Sequence, residues 1–208
     1  MMNKRNEAQR NKDLWDRILS GDDEAFATLY SLYADKLYSY GLRFTFNQEL
    51  VKDCVQEIFI KLYTGRKRLN QVENVKTYLM SSMKNILFNY FKKENSHYQI
   101  DSIEPIFYTE FTGESRLIES EQLYAQKKKI AQMLKHLTPR QREALYYRFE
   151  EDLSYEEICQ LMQMNYQSVR NLIYRTLLKI RTTVEEVNHE IEKTPVSQNE
   201  PLHLRIKL

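Results

Sequence analysis

Apolar residues along this chain fall at helical spacing. Leu14, Ile18 and Leu19 share one side of a helix over 12–20, which Gly21 ends. Asp22 or Asp23 can cap a second helix, where Phe26, Leu29, Tyr30, Tyr33 and Leu37 recur as far as about Gly41. A third helix fits 48–63, with Val51, Val55, Ile58, Phe59 and Leu62 inward. The basic loop Gly65-Arg66-Lys67-Arg68 leads to a fourth over 73–93, whose stripe is Val75, Leu79, Met83, Ile86, Leu87 and Tyr90. These four helices make a first domain, 1–93.

Residues 94–118 lose the period and hold Pro105 and Gly113, so they read as a flexible linker. Ile103, Ile106, Phe107, Tyr108 and Phe111 give that linker anchors with which to dock. The second domain, 119–187, opens with a helix at 119–136. Thr138, Pro139 and Gln141 then form a capping box with proline in the first turn, and start a helix running to about Phe149. Glu150-Glu151-Asp152 breaks it. Ser154 and Glu157 form a second box, opening a helix with Ile158, Leu161 and Met162 inward. A short turn at 162–166 precedes a last helix with Val169, Leu172, Ile173, Thr176, Leu177 and Ile180 on one face. The tail, 188–208, with Pro195 and Pro201, is expected to be disordered.

Composition narrows the fold class to all-α, two small helical domains joined by a linker. Only 4 Gly and 4 Pro occur in 208 residues, too few turn formers for an all-β or doubly wound chain. No apolar run approaches the roughly 18 residues of a spanning helix, and the start is polar. Membrane insertion and secretion are therefore disfavoured, and a cytoplasmic protein is expected. Cys54 and Cys159 cannot make a disulfide framework and have no partner at metal spacing.

Charge is patterned beneath a net +2. Residues 1–93 sum to +5, 94–120 to -5 and 121–187 to +2. Within the first block, 61–93 holds eight Lys/Arg and one acid, Glu73; 166–181 holds Arg170, Arg175, Lys179 and Arg181 and no acid. One basic stripe is an ordinary solvated face, but two in separate domains suit a polyanion.

Residues 154–181 read as helix, tight turn and longer helix, the motif whose second helix enters the major groove. The face of that helix opposite its apolar stripe holds Gln167, Arg170, Asn171, Tyr174 and Leu178, with Arg175 at its edge. Arg can bond guanine bidentately, Asn and Gln can bond adenine, and Tyr174 and Lys179 suit phosphates. On the 73–93 helix, Tyr78, Ser81, Asn85, Asn89 and Lys92 line one flank, and Lys84 and Phe88 the next. Amides, a ring and cations on one ridge can hold an unstacked strand. An ordinary surface, with Tyr78 packed under the preceding loop, explains the same residues.

Two stretches resemble one family. GDDEAFATLYSLYADKLYSYGLRF (21–44), ELVKDCVQEIFIKLY (49–63) and NVKTYLMSSMKNILFNYFKK (74–93) are similar to region 2 of the extracytoplasmic-function sigma factors. LTPRQREALYYRFEEDLSYEEICQLMQMNYQSVRNLIYRTLLKIR (137–181) is similar to their region 4. The two occur in the family's order, with a linker between. The wording QSVRNLIYR resembles variants common in Bacteroidota.

The resemblance implies a subunit of RNA polymerase that binds the core enzyme and directs promoter-specific initiation. It implies docking on core polymerase through Asp53, Gln56, Glu57, Phe59 and Ile60. It implies minus-ten recognition and melting through Arg66, Lys67, Arg68, Tyr78, Lys84, Asn85 and Asn89. Minus-thirty-five reading would fall to Gln167, Ser168, Arg170, Asn171, Tyr174, Arg175 and Lys179. It also implies an anti-sigma partner, and a linker that threads toward the RNA exit path. The family has Gly where Gln163 stands, so the turn is expected to be built differently, since non-glycine residues avoid left-handed backbone.

His97, His136, His189 and His203 are scattered without a nucleophile or carboxylate constellation, and there is no Gly-rich phosphate loop. An enzyme, a cofactor, a metal and a small-molecule substrate are not expected. The alternative to a sigma factor is a free-standing helix-turn-helix regulator. A third reading, a small nuclease, would need paired acids with metal geometry. The acidic connector between two basic modules leads us to expect that they close on each other without polymerase, hiding their DNA faces. The same linker composition also suits two independent modules.

Overall fold

The computed structural model describes residues 2–94, 134 and 136–193, and among them every regular element is helical. The first bundle contains α1 (Met2–Leu19), α2 (Asp23–Gly41), α3 (Gln48–Gly65) and α4 (Val75–Glu94), with a single 3₁₀ turn at Arg66–Arg68. The second contains α5 (Pro139–Leu145), which widens directly into a π turn at Tyr146–Glu150, then α6 (Tyr155–Met162) and α7 (Tyr166–Lys193).

The helix starts are the ones the polar residues dictate. The Asp22 carboxylate accepts the amides of Glu24 and Ala25 at 2.9 and 3.0 Å, and Asn47 accepts that of Leu50 at 3.1 Å. Thr138 with Gln141 and Ser154 with Glu157 both close as reciprocal capping boxes. Each such cap stabilises its helix by about 1 kcal/mol.

Several boundaries differ from the expectation. α1 begins at Met2, ten residues before 12, because no Gly or Pro interrupts the polar stretch ahead of Leu14. Its anchor is Trp15, fully buried, which donates its indole N–H to the Asn70 carbonyl at 3.2 Å and meets the Tyr78 ring edge-on at 5.1 Å. Tyr90 keeps the angular position of the α4 stripe but lies in the last turns and is 46% exposed. Leu177 is likewise exposed, unlike Val169, Ile173 and Thr176. α7 continues through Lys193, so residues 188–193 are helix and not tail. The linker, the helix expected at 119–136 and the tail beyond 193 lie outside the described residues, apart from positions 134 and 136.

At Gly41, α2 packs directly against side chains of both α3 and α4. A methyl group there would meet Met83 and lie 2.7 Å from Val51 Cγ1. The turn between α6 and α7 is reached by Gln163 at φ 52°, inside the left-handed region. The expectation of a differently built turn is therefore corrected: the left-handed step is kept, and the non-glycine residue accepts its strain. Asp152, at φ 51°, turns the chain from the π turn into α6.

The two bundles are packed together and share one apolar core. α4 lies against α6, and Tyr40 stacks on Tyr146 and tilts against Tyr147 with ring centroids 6.0 and 6.1 Å apart. The linked-bead arrangement is not the one adopted.

Candidate nucleic-acid and partner interface

α7 packs on α5 and α6 and leaves one face open. Gln167, Arg170, Asn171, Tyr174 and Arg175 are all exposed, Tyr174 by 62%. Gln167 donates to Asn171 across one turn at 3.1 Å, which pre-orients two amides on the outer ridge. Ser168 is half-buried, and its backbone N–H is capped by the Asn165 side chain at 2.8 Å. Lys179 is exposed but bonds the His136 carbonyl at 2.6 Å, tying α7 to the start of the second bundle. Arg and amide side chains projecting from the first turns of a helix after a tight turn have the reach to read base edges.

On α4, Asn85 and Asn89 are exposed one turn apart. Tyr78 is half-buried, held beneath by Trp15, in keeping with the ordinary-surface reading. Lys84 is not on the open flank. Its ammonium bonds Glu143 Oε1 at 2.6 Å and the Leu161 carbonyl at 3.1 Å, with side-chain exposures of 13% and 2% for the pair. In this arrangement it is engaged by the second module. Arg66 is also engaged: its guanidinium pairs with Asp23 at 2.5 Å and covers the Tyr63 ring at 4.3 Å. The hydrogen bond from Arg66 holds the Asp23 carboxyl below the usual carboxylate range. Lys67 and Arg68 remain exposed.

The α3 set separates into two. Asp53, Gln56, Glu57 and Ile60 are exposed, Ile60 by 61%, and Glu57 pairs with Lys61. Phe59 is 3% exposed and packs edge-on against Phe26 and Tyr30 at 6.1 and 4.8 Å. It is core, and its assignment to a docking surface is corrected: at helical spacing it falls beside Val55 and Leu62 on the inward stripe.

Sequence reasoning expected the modules to close on each other but named none of the pairs in the seam between them. There Arg43 pairs with Glu150 at 2.9 Å, Lys76 with Glu151 at 2.5 Å, and Asn74 donates to Glu157. Inside these contacts, Tyr147 donates to Glu143 at 2.8 Å and its oxygen lies 2.5 Å from that of Tyr40. The sequence does carry a signal for it: Glu143 and Tyr147, four apart beside Ala144, put a charge on the buried face of α5. Among the described residues no group of acids, His or Cys could hold a metal ion, and no helix is long and apolar enough to cross a membrane. Burial pushes the Cys54 thiol up to about 11, which leaves it unreactive at neutral pH.

Comparison with known proteins follows the same division. Residues 29–97 match the family model for sigma-70 region 2, and 127–180 that for sigma-70 region 4. The chain is 22% identical over 173 residues to the RNA polymerase sigma factor YlaC of Bacillus subtilis (strain 168), covering 80% of this chain and 96% of that one. It is 27% identical over 173 residues to the RNA polymerase sigma-H factor of Pseudomonas aeruginosa, covering 80% and 90%. Among solved structures, CnrH in complex with the cytosolic domain of CnrY superposes with a TM-score of 0.56 at 16% identity, over 85% of this chain and 98% of that one. The sigma factor RpoE in complex with the anti-sigma factor NepR, from Bartonella quintana, gives 0.54 at 17%, over 77% and 96%.

Proposed function

The chain belongs to the sigma-70 family, in its extracytoplasmic-function group, and on that premise we propose how its parts divide the work of an RNA polymerase sigma factor. It binds core polymerase and directs initiation at promoter DNA. We assign region 2 to 1–93, the connector to 94–118 and region 4 to 119–187. The exposed α3 residues Asp53, Gln56, Glu57 and Ile60 dock on core polymerase. Lys67, Arg68, Tyr78, Asn85 and Asn89 hold the minus-ten strand, joined by Lys84 and Arg66 once their present partners release them. Gln167, Arg170, Asn171, Tyr174 and Arg175 read the minus-thirty-five element, with Ser168 and Lys179 on the backbone.

The observation that carries this reading is the outward face of α7, with two arginines and two amides and no acid, behind a doubly capped helix-turn-helix. The chain acts in the cytoplasm without catalysis of its own, and an anti-sigma protein holds it inactive; one protein of similar fold, RpoE of Bartonella quintana, was solved with the anti-sigma factor NepR. The wording QSVRNLIYR supports a Bacteroidota-type variant.

Run-off transcription on genomic fragments tests the proposal. Core polymerase with the chain should yield discrete start sites that core alone does not. Specific, tight binding of promoter DNA by the chain alone, with no transcripts, would favour the free-standing regulator.

A further inference from the structure

We propose that the acidic edge of the second module competes with nucleic acid for the basic side of α4, and that Lys84, Glu143, Tyr147 and Tyr40 are the latch that holds it there. The inference rests on the sigma-factor reading for its consequence, though not for its geometry.

The seam is polar in one direction. Its cations and amide donor, Arg43, Asn74, Lys76 and Lys84, come from the first module, and its carboxylates, Glu143, Glu150, Glu151 and Glu157, from the second. A row of carboxylates on a basic face offers the charge that a phosphate backbone offers. At the centre the pairing excludes water. Lys84 and Tyr147 both donate to Glu143 Oε1, Tyr40 meets Tyr147, and Glu143 is 2% exposed. Each of these four side chains has a partner, and losing one member would leave another stranded. Asn85 and Asn89 stay open beside the covered Lys84, and the α7 face stays open altogether. The latch therefore withholds Lys84 from one nucleic-acid surface and leaves the other untouched, unlike the full concealment that charge pattern alone suggests.

The test uses the full chain, with small-angle scattering for compactness, circular dichroism for helicity and a fluorescein-labelled DNA single strand for affinity. Glu143→Gln removes the charge that holds Lys84. It should expand the profile at unchanged helicity and tighten strand binding about tenfold, the gain when a binding-competent form rises from about a tenth of the population to nearly all. Arg43→Glu approaches the latch from its rim by setting two carboxylates against each other. It makes the chain more acidic, so simple electrostatics weakens strand binding, whereas opening tightens it. Adding Glu150→Arg to Arg43→Glu re-forms the pair in reverse and should return both readouts toward wild type. A compact profile in both single variants, or expansion with no gain in strand affinity, overturns the latch. Failure of the sigma-factor reading shows separately, as absence of run-off transcripts with core polymerase whatever the compactness.

Discussion

The hydroxyl oxygens of Tyr40 and Tyr147 lie 2.5 Å apart, although 107 residues separate them in the chain. Both side chains are fully buried, and this one bond joins the core of region 2 to that of region 4. Burial pushes both phenols well above their ordinary range, and the Glu143 carboxylate adds to the effect.

The first prediction follows from that shift. In the unfolded chain both phenols ionise near pH ~10; in the folded chain they keep their protons to higher pH. Their contribution is fully present below about pH 10 and declines as pH rises beyond it, because the unfolded state then binds fewer protons. The urea midpoint should therefore fall between about pH 9 and pH 11. Tyr147→Phe should show a shallower fall.

Gln163→Gly should stabilise the protein by about 0.5–1 kcal/mol. Glycine removes the clash of a side chain at positive φ, and the greater freedom of the unfolded chain offsets part of that gain. Denaturant midpoints at constant slope measure the difference, and an unchanged or lower midpoint refutes the strain.

Phe59 and Ile60, adjacent on α3, should separate cleanly. Phe59→Ala empties a core site and should cost about 3–5 kcal/mol of stability. Ile60→Ala should leave the melting temperature nearly unchanged while weakening capture by immobilised core polymerase. Equal effects of the two on both measurements would place the docking surface elsewhere.

Arg170→Ala and Arg175→Ala should impair minus-thirty-five recognition and leave core binding intact. Removing a bidentate arginine–guanine pair should cost about 1–3 kcal/mol and relax specificity at one base pair. An arginine bound to phosphate would instead be missed about equally on all sequences. Promoter footprints of the reconstituted holoenzyme distinguish the cases, and unaltered footprints from both variants remove the α7 face from consideration.

Asn85→Ala with Asn89→Ala should lower open-complex formation more than closed-complex binding, because hydrogen bonds to an extruded base exist only after melting. Permanganate reactivity at matched promoter occupancy reads the melting step; full reactivity in the double variant would clear α4 of the role.

The features legible in the amino-acid sequence are local ones. Helix periods, the two capping boxes and the outward face of α7 each depend on residues within a few turns of one another. The period alone sets Phe59 inward, as it is found; the motif match set it on a docking surface because such a match names a segment, whereas burial is decided residue by residue around the helix. Lys84 and Arg66 look unengaged in the sequence because their partners, Glu143 and Asp23, lie 59 and 43 positions away. Tyr90 and Leu177 show the converse: periodicity marks an angular position and not whether a neighbouring helix reaches that turn.

Trp15 is the chain's one tryptophan. It sits sealed at the root of α4, with its indole edge against the Tyr78 ring that borders the proposed strand-binding ridge. The molecule therefore carries a built-in fluorophore one ring away from the event that matters most. A base stacking on Tyr78 would alter the emission of Trp15 without any label, so stopped-flow fluorescence of the native chain can time the capture of the melted strand.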